Sequence, residues 1–526
     1  MPAKRPNILF IMADQLAGPA LPVYGHPVVK APHLTELANN GVVFESAYCS
    51  FPLCAPSRFS MLSGQLASRI GAYDNAAHFS SQTPTFAHYL RLLGYRTCLV
   101  GKMHFIGPDQ LHGFEERLTT DIYPADFGWT PDWEHPERIL EWYHNMIDVI
   151  QAGVCEASVD LDYDEEVAFQ ANRKLYSLVR EADERPFCMV VSFAHPHDPY
   201  VMTPDYWNRY RADEIDQPTV PPLPLEQMDP HSRRIWEICA TDEYAITAEH
   251  VRAARHGYYS SISYIDDKVQ QLIQSLKATG LYDNTIIIFT GDHGEMLGER
   301  GLWYKMTFWE WSARIPLIVH APKFFAPRRI ATQVSSLDFL PTLVDLASDG
   351  AEVAWADPID GHSLVPLLQG DLSQAADVAI SEYLAEGAIA PCFMIRRGPY
   401  KYIYGATDPD LLYDLTSDPH ELTNLAKQPA YADVVHAFRV EVARRWDVPQ
   451  LHQAILASQR QRHLVSRALM TGKITPWDYQ PVQDAAHQYV RNNIELWELM
   501  RRTRFPTVET PEPQRKIKRY VNLPGV

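Results

Sequence analysis

The chain predicts an α/β fold, with a large sheet buried beneath helices on both faces and a smaller antiparallel sheet after it. Three observations carry that expectation. The runs Ile8-Leu9-Phe10-Ile11-Met12-Ala13 and Thr285-Ile286-Ile287-Ile288-Phe289-Thr290 are continuously apolar, as strands covered on both sides must be. Amphipathic stretches precede the later strands, giving helix–turn–strand units. Polar, chemistry-bearing residues then follow the strands, at the carboxyl edge where open α/β sheets bind ligands.

Taken in order, the first strand ends at Asp14. Between Ser50 and Gly64 an apolar-periodic run reads as a short helix: proline favours the first helical position and glycine the residue past the end, so Pro56 and Gly64 bracket it with Cys54 at its mouth. A helix mouth presents free N–H groups and partial positive charge to an anion. Arg58, one turn in, adds a full charge. Ala168, Ala171, Leu175, Leu178 and Ala182 recur at helical spacing before a strand over Phe187 to Phe193, which runs into His195 and His197. Residues 217–230 are proline-rich and read as a surface loop. Ile262, Ile265, Val269, Leu272 and Leu276 make another helix, closed by Gly280, ahead of the strand that ends in Gly291-Asp292-His293-Gly294. After about Gly370 the rhythm changes to short strands over Ala379–Tyr383, Phe393–Arg397 and Tyr400–Tyr404. The C-terminal stretch is amphipathic and broken by prolines, carries Trp477, Tyr479, Tyr489 and Trp497, and ends in the basic run Arg515-Lys516-Ile517-Lys518-Arg519. We therefore expect a catalytic α/β domain over 1–375, a small antiparallel-sheet domain over 376–450, and a tail over 451–526 that serves oligomerisation.

Composition narrows the function class. Lys+Arg of 47 against Asp+Glu of 65 gives a net charge of −18 over 526 residues, which argues against nucleic acid or an anionic membrane as a partner. An anionic substrate must be drawn in by a few focused cations. Seven cysteines, an odd number without zinc-type spacing, fit reduced thiols in a cytoplasm better than a disulfide framework. No run approaches the roughly 18 apolar residues of a membrane span, and the first apolar run is too short for a signal-peptide core.

Taken alone, Cys54 beside a helix start would be a small buried residue. In its setting, Cys54-Ala55-Pro56-Ser57-Arg58 resembles the signature of the sulfatase family, in which that cysteine is oxidised after translation to formylglycine. Other segments resemble the family in order: Pro6 to Gln15, its first metal strand; Gly101-Lys102-Met103-His104; His195-Pro196-His197-Asp198-Pro199; Gly291 to Glu299 with Lys305 downstream; and Leu412-Tyr413-Asp414-Leu415 through Asn424-Leu425. The resemblance implies a sulfatase/alkaline-phosphatase-like fold. It implies that Asp14, Asp292 and His293, with an oxygen on residue 54, hold one divalent cation, Ca²⁺ first and Mg²⁺ or Mn²⁺ as alternatives; Gln15 is a neutral addition. Many sulfatases have Asp-Asp at the first site and Asn in place of His293, so this chain lowers the formal negative charge there. Arg58, Lys102 and Lys305 neutralise the sulfuryl group, while His104 and His197 hydrogen-bond the ester or move protons; His195 is structural. In the family mechanism one hydroxyl of the hydrated formylglycine attacks sulfur. The other then loses its proton, here to His104, and sulfate leaves by C–O cleavage.

One stretch is more specific. Residues 107–129, with Tyr73-Asp74-Asn75, Trp142-Tyr143-His144-Asn145 and Glu382-Tyr383 through Glu386-Gly387, look like the choline sulfatases within that family. This implies hydrolysis of choline O-sulfate, with Asn75 on the sulfate and Trp129, His144 and Glu386 around a trimethylammonium head. It also implies a cytoplasmic homotetramer whose tail closes the neighbour's site, although Ile494-Glu495-Leu496-Trp497-Glu498 departs from the aspartate-rich pattern of such tails. A phosphonate monoester or phosphodiester hydrolase and an aryl sulfatase are the alternatives.

Overall fold

The computed structural model describes residues 5–123 and 125–473. In chain order its strands are β1 (Asn7–Ala13), β2 (Val42–Tyr48), β3 (Arg96–Gly101), β4 (Glu116–Arg117), β5 (Gly153–Val154), β6 (Phe187–Phe193), β7 (Val201–Met202), β8 (Thr285–Gly291), β9 (Arg314–Ile315), β10 (Leu317–His320), β11 (Arg328–Ser335), β12 (Val378–Tyr383), β13 (Cys392–Arg397), β14 (Tyr400–Gly405) and β15 (Leu411–Asp414). The main sheet has the order β11-β2-β10-β8-β1-β6-β3-β4, with β9 beside β2. β1 runs parallel to both β6 and β8, whereas β10 is antiparallel to β8 and β2, so the sheet is mixed. Every residue of β1, β6 and β8 is buried, which requires cover on both faces and explains why these strands read as unbroken apolar runs. Val159–Arg180 and Ala248–Ala278 are the two long helices that the apolar periodicity signalled.

Register is what builds the site. Ala13 pairs with Phe193 on one side and Gly291 on the other, so Asp14, Ala194 and Asp292 leave the sheet at one level. β3 pairs Gly101 with Ser192 and delivers Lys102 to the same edge. Gly101 has φ +104, and a Cβ there would lie 1.9 Å from the Ser192 carbonyl oxygen, so only glycine lets this strand turn out beside β6.

The second sheet has the order β12-β13-β14-β15. Its fourth strand, Leu411–Asp414, overlaps the Leu412-Tyr413-Asp414-Leu415 motif, which the sequence did not mark as a strand. The helix Ala432–Arg445 covers this sheet, with Phe438 stacked on Tyr402 at 5.1 Å; beyond its end Trp446 stacks on Phe393 at 4.1 Å. Lys401 ties the sheet to the large domain: its fully buried ammonium donates to the Phe308 carbonyl at 2.9 Å and pairs with Glu310 and Glu421 at 2.6 and 2.7 Å. The helix Val448–Leu469 crosses the expected boundary at 450. The tail aromatics Trp477, Tyr479, Tyr489 and Trp497 and the 494–498 segment lie outside the described residues.

Candidate active site

Cys54 is the first residue of the helix Cys54–Ser63, which ends at Gly64 with φ +64. The sequence set Pro56 at the first helical position; the helix starts earlier, and proline occupies the third. This costs nothing, because the first intrahelical bond runs from the Ser57 N–H to the Leu53 carbonyl at 3.1 Å and the N–H that Pro56 lacks would have had no helical partner.

Asp14, Cys54, Asp292 and His293 each offer a ligand atom within 4.8 Å of the others, and all four are buried. The His293 Nε2 lies 3.2 Å from the Cys54 Sγ and 3.7 Å from an Asp292 oxygen. Two carboxylates, an imidazole and the side chain of residue 54 on a helix mouth form a donor set that fits a divalent cation. Arg58, fully buried, donates from Nε to Asp292 Oδ2 at 2.8 Å and from Nη1 to the Lys102 carbonyl and Ser192 hydroxyl at 2.6 and 2.9 Å. Its Nη2 makes no hydrogen bond and faces Asp14 Oδ1 at 3.6 Å, so the guanidinium stands between the two carboxylates. Lys102 pairs with Asp14 and lies 3.8 Å from the Cys54 sulfur.

These charges reset one another. Burial alone would raise the Cys54 thiol, but Lys102, Lys305 and His293 outweigh it and hold it well below its usual range. Asp14 is likewise held low against burial, by Lys102. Burial opposes a charged His197, yet Asp198 beside it wins and lifts the imidazole to about 9. His197 Nδ1 donates to the Asp198 carbonyl at 2.7 Å, which leaves Nε2 as the ring's acceptor. Its Nε2 lies 2.9 Å from the Lys305 Nζ, which also donates to Gln15 Oε1 at 2.6 Å. Gln15 is clamped from its other end, where Nε2 donates to Asp198 at 3.1 Å and to Glu295.

Above this floor lies a cavity of about 350 Å³ lined by Cys54, Asn75, Lys102, His104, Trp129, His144, His197, Lys305 and Glu386, among others. It gathers residues from both sheets and from the irregular segment between β3 and β6. Asn75 accepts from the Ala55 N–H at 2.9 Å; with its oxygen committed, its amide NH₂ is left to donate. His104 is buried, and its ring is hydrogen-bonded to the Cys54 side chain, which it helps to hold low. His144 stacks on Tyr304 at 4.3 Å, with Nδ1 3.5 Å from Asp198. His195, by contrast, is tied to Asp164 at 2.7 Å and stays out of the cavity lining.

Glu386 lies on the β12–β13 connection. That turn is held by the Tyr383 hydroxyl donating to the Glu386 carbonyl at 2.8 Å and the Trp133 indole donating to the Ala385 carbonyl at 2.9 Å. The carboxylate is buried, Oε2 has no partner, and burial lifts its pKa to about 8. Several cavity residues were not singled out from sequence: Trp142, stacked parallel to Trp129 at 6.0 Å; Tyr123, whose ring lies 4.5 Å from the Lys102 Nζ and whose hydroxyl donates to Asp160 at 2.7 Å; and Asp198. Trp142 lies in the same Trp-Tyr-His-Asn run as His144, and that adjacency was the available signal.

Comparison with known proteins agrees with this geometry. The sulfatase family profile matches residues 6–350, that of the N-sulphoglucosamine sulphohydrolase C-terminal region matches 298–446, and that of the choline sulfatase enzyme C-terminal region matches 453–505. The chain is 49% identical to a choline-sulfatase of Rhizobium meliloti over 97% of its own length and 100% of that protein. It is 27% identical to an arylsulfatase of Clostridium perfringens, over 83% and 93% of the two chains. The phosphonate monoester hydrolase of Agrobacterium radiobacter superimposes with a TM-score of 0.67 at 25% identity, covering 85% of this chain and 96% of that one. A buried cysteine on a helix mouth, set among two aspartates, an imidazole and three buried cations, and matched along most of the sequence, places the chain in the sulfatase family of sulfuric ester hydrolases.

Proposed function

We propose that the enzyme hydrolyses choline O-sulfate to choline and sulfate, using formylglycine made from Cys54. The observation that carries the substrate is the pairing of a buried Glu386 oxygen that has no partner with the stacked Trp129 and Trp142 in one cavity. A trimethylammonium head donates no strong hydrogen bond. It is met by aromatic faces, each worth roughly 0.5–2 kcal/mol, and by a carboxylate that is not already spent on a protein donor. The choline-sulfatase relative supports the same reading.

Asp14, Asp292 and His293, with residue 54, would hold the cation, which we assign as calcium on the strength of the two carboxylates; when bound it supplies Lewis-acid polarisation of the sulfate oxygens. Formylglycine at residue 54 would, as its hydrate, supply two geminal hydroxyls, one as the nucleophile towards sulfur and one whose deprotonation would release sulfate. The chain's own groups do the rest. Arg58 and Lys102 flank residue 54 and spread positive charge over the sulfuryl oxygens, while Asn75 donates to one of them. Lys305, whose ammonium is held by the His197 Nε2 and Gln15, gives a proton to the departing choline oxygen, and His197, backed by Asp198, holds it in place. His104, hydrogen-bonded to residue 54, takes the proton whose loss releases sulfate.

Comparing kcat/KM for choline sulfate, an aryl sulfate and a phenyl phosphonate tests the substrate. Choline sulfate should lead; a phosphonate or aryl sulfate in first place would overturn the assignment. Chelation followed by dialysis should lower Tm, and calcium at 100 times its Kd should restore about 2.7 kcal/mol, read by calorimetry on the unreacted enzyme. If Mn²⁺ alone restores it, His293 sets the preference and calcium is the wrong ion. We further propose a homotetramer, supported by the match of residues 453–505 to the choline sulfatase C-terminal region. A domain division near 375, a C-terminal region that begins with the helix Val448–Leu469 and a cytoplasmic setting are part of this reading. All seven cysteines are unpaired, and among the described residues no helix is long and apolar enough to cross a membrane.

A further inference from the structure

The helix Val448–Leu469 buries three residues, Ile455, Gln459 and Arg462, which fall on one face at helical spacing. Two of the three are polar, an unusual choice for the inner face of a surface helix, and both are spent on segments that wall the active-site cavity. Gln459 accepts from the Trp133 N–H at 3.0 Å, and His463 beside it lies 3.1 Å from the Pro131 carbonyl, next to the segment that carries Trp129. Arg462 makes a two-pronged pair with Asp74, at 2.5 and 2.7 Å, with the carboxylate wholly buried. Asp74 in turn accepts from the Ala76 N–H at 2.9 Å. Between them stands Asn75, whose oxygen takes the Ala55 N–H at the mouth of the Cys54 helix.

We infer that Arg462 is a positioning residue: its fork on Asp74 locks the Asp74–Ala76 turn and thereby aims the Asn75 amide at the sulfuryl group. Arg462 does not line the cavity and acts only through Asp74. Two parallel N–H···O bonds fix a carboxylate plane as a single ammonium cannot. Asp74 has no rotational freedom left once both oxygens are held and the Ala76 N–H is taken. The inference rests on the sulfate-binding role proposed for Asn75. It implies that the C-terminal helix governs the sulfuryl half of the site in every sulfate ester the enzyme accepts, independently of what binds the headgroup.

The test uses Arg462→Lys, Arg462→Met and the pair Asp74→Asn with Arg462→Met, all in the full chain and assayed well below each variant's Tm. Arg462→Met alone leaves a buried charge without its partner and can fail to fold; the paired change removes both charges while Asn keeps the Ala76 contact. The folded methionine variants should lose about 10- to 100-fold in kcat/KM, the scale of a misplacement near 1 Å, and by the same factor for choline sulfate and an aryl sulfate. Inhibition by inorganic sulfate should weaken in parallel, and Arg462→Lys should fall between them and wild type. Unchanged kinetics and sulfate inhibition, with only Tm lowered, would overturn the inference and leave an ion pair that serves stability. A loss confined to choline sulfate would overturn it as well, since Arg462 would then act on the headgroup wall. A wild-type enzyme that prefers aryl sulfates would sink the substrate assignment but leave this comparison standing.

Discussion

Cys54→Ala should abolish turnover, by at least about 10⁴-fold in kcat/KM, the scale seen when a covalent nucleophile is removed and only binding and electrostatic stabilisation remain. The side chain is small and buried, so the fold should survive and Tm should move little. Cys54→Ser is the more informative partner. A serine hydroxyl occupies the same helix mouth and keeps Lys102 and Arg58 around it, but it has no second hydroxyl through which to expel sulfate. It should release at most one equivalent of choline and then stall as a stable sulfate ester, visible as an added sulfuryl group on the intact residue 54 peptide. Wild-type enzyme made alongside the modifying machinery should show the aldehyde or its hydrate on that peptide. An active preparation carrying only unmodified thiol there would refute the mechanism proposed above.

How much of this was legible in the sequence depends on how local each signal was. Asp14 and Asp292 could be placed at a sheet edge because each follows an unbroken apolar run, and such runs announce buried strands. That the two aspartates leave the sheet level with one another is a matter of register, fixed by Ala13 pairing with both Phe193 and Gly291, and no local pattern encodes it. Lys102, His104 and Lys305 came only through family resemblance, since a lysine or histidine in isolation is a surface residue. The segment from Lys102 to Asn145 is largely irregular, so periodicity was silent about Tyr123 and Trp142. β15 was overlooked because four residues with one polar terminus give too short an alternation to stand out. The contacts of Arg462 span nearly four hundred positions, and a single arginine on a mostly exposed helix reads as solvated until its partner is seen.

Glu386→Gln should separate the cationic substrate from the uncharged one. The side chains are nearly isosteric, so Trp129, Trp142 and the Tyr383 contact are preserved while the charge is lost. Losing a buried charge partner costs about 2–5 kcal/mol, and KM for choline sulfate should rise by roughly 30-fold or more at the lower end of that range, with an uncharged aryl sulfate changing less than about twofold. The pH dependence gives a second signature. Burial lifts the Glu386 pKa to about 8, well above the roughly 4.3 of an exposed glutamate, so in the empty cavity the carboxyl is protonated at neutral pH. The choline cation binds the ionised form. KM for choline sulfate should therefore fall as pH rises toward about 8 and level off beyond it, in wild type only. Stability runs the other way: the folded state holds this proton more tightly than the unfolded chain, so the contribution is complete below about 4.3 and is lost as pH climbs to the folded value. Above that value wild type must bury a charge and the glutamine variant need not, so the variant should gain in Tm relative to wild type at alkaline pH. Equal damage to both substrates, or damage to neither, would make Glu386 a structural residue and remove the chemical basis for assigning a choline site.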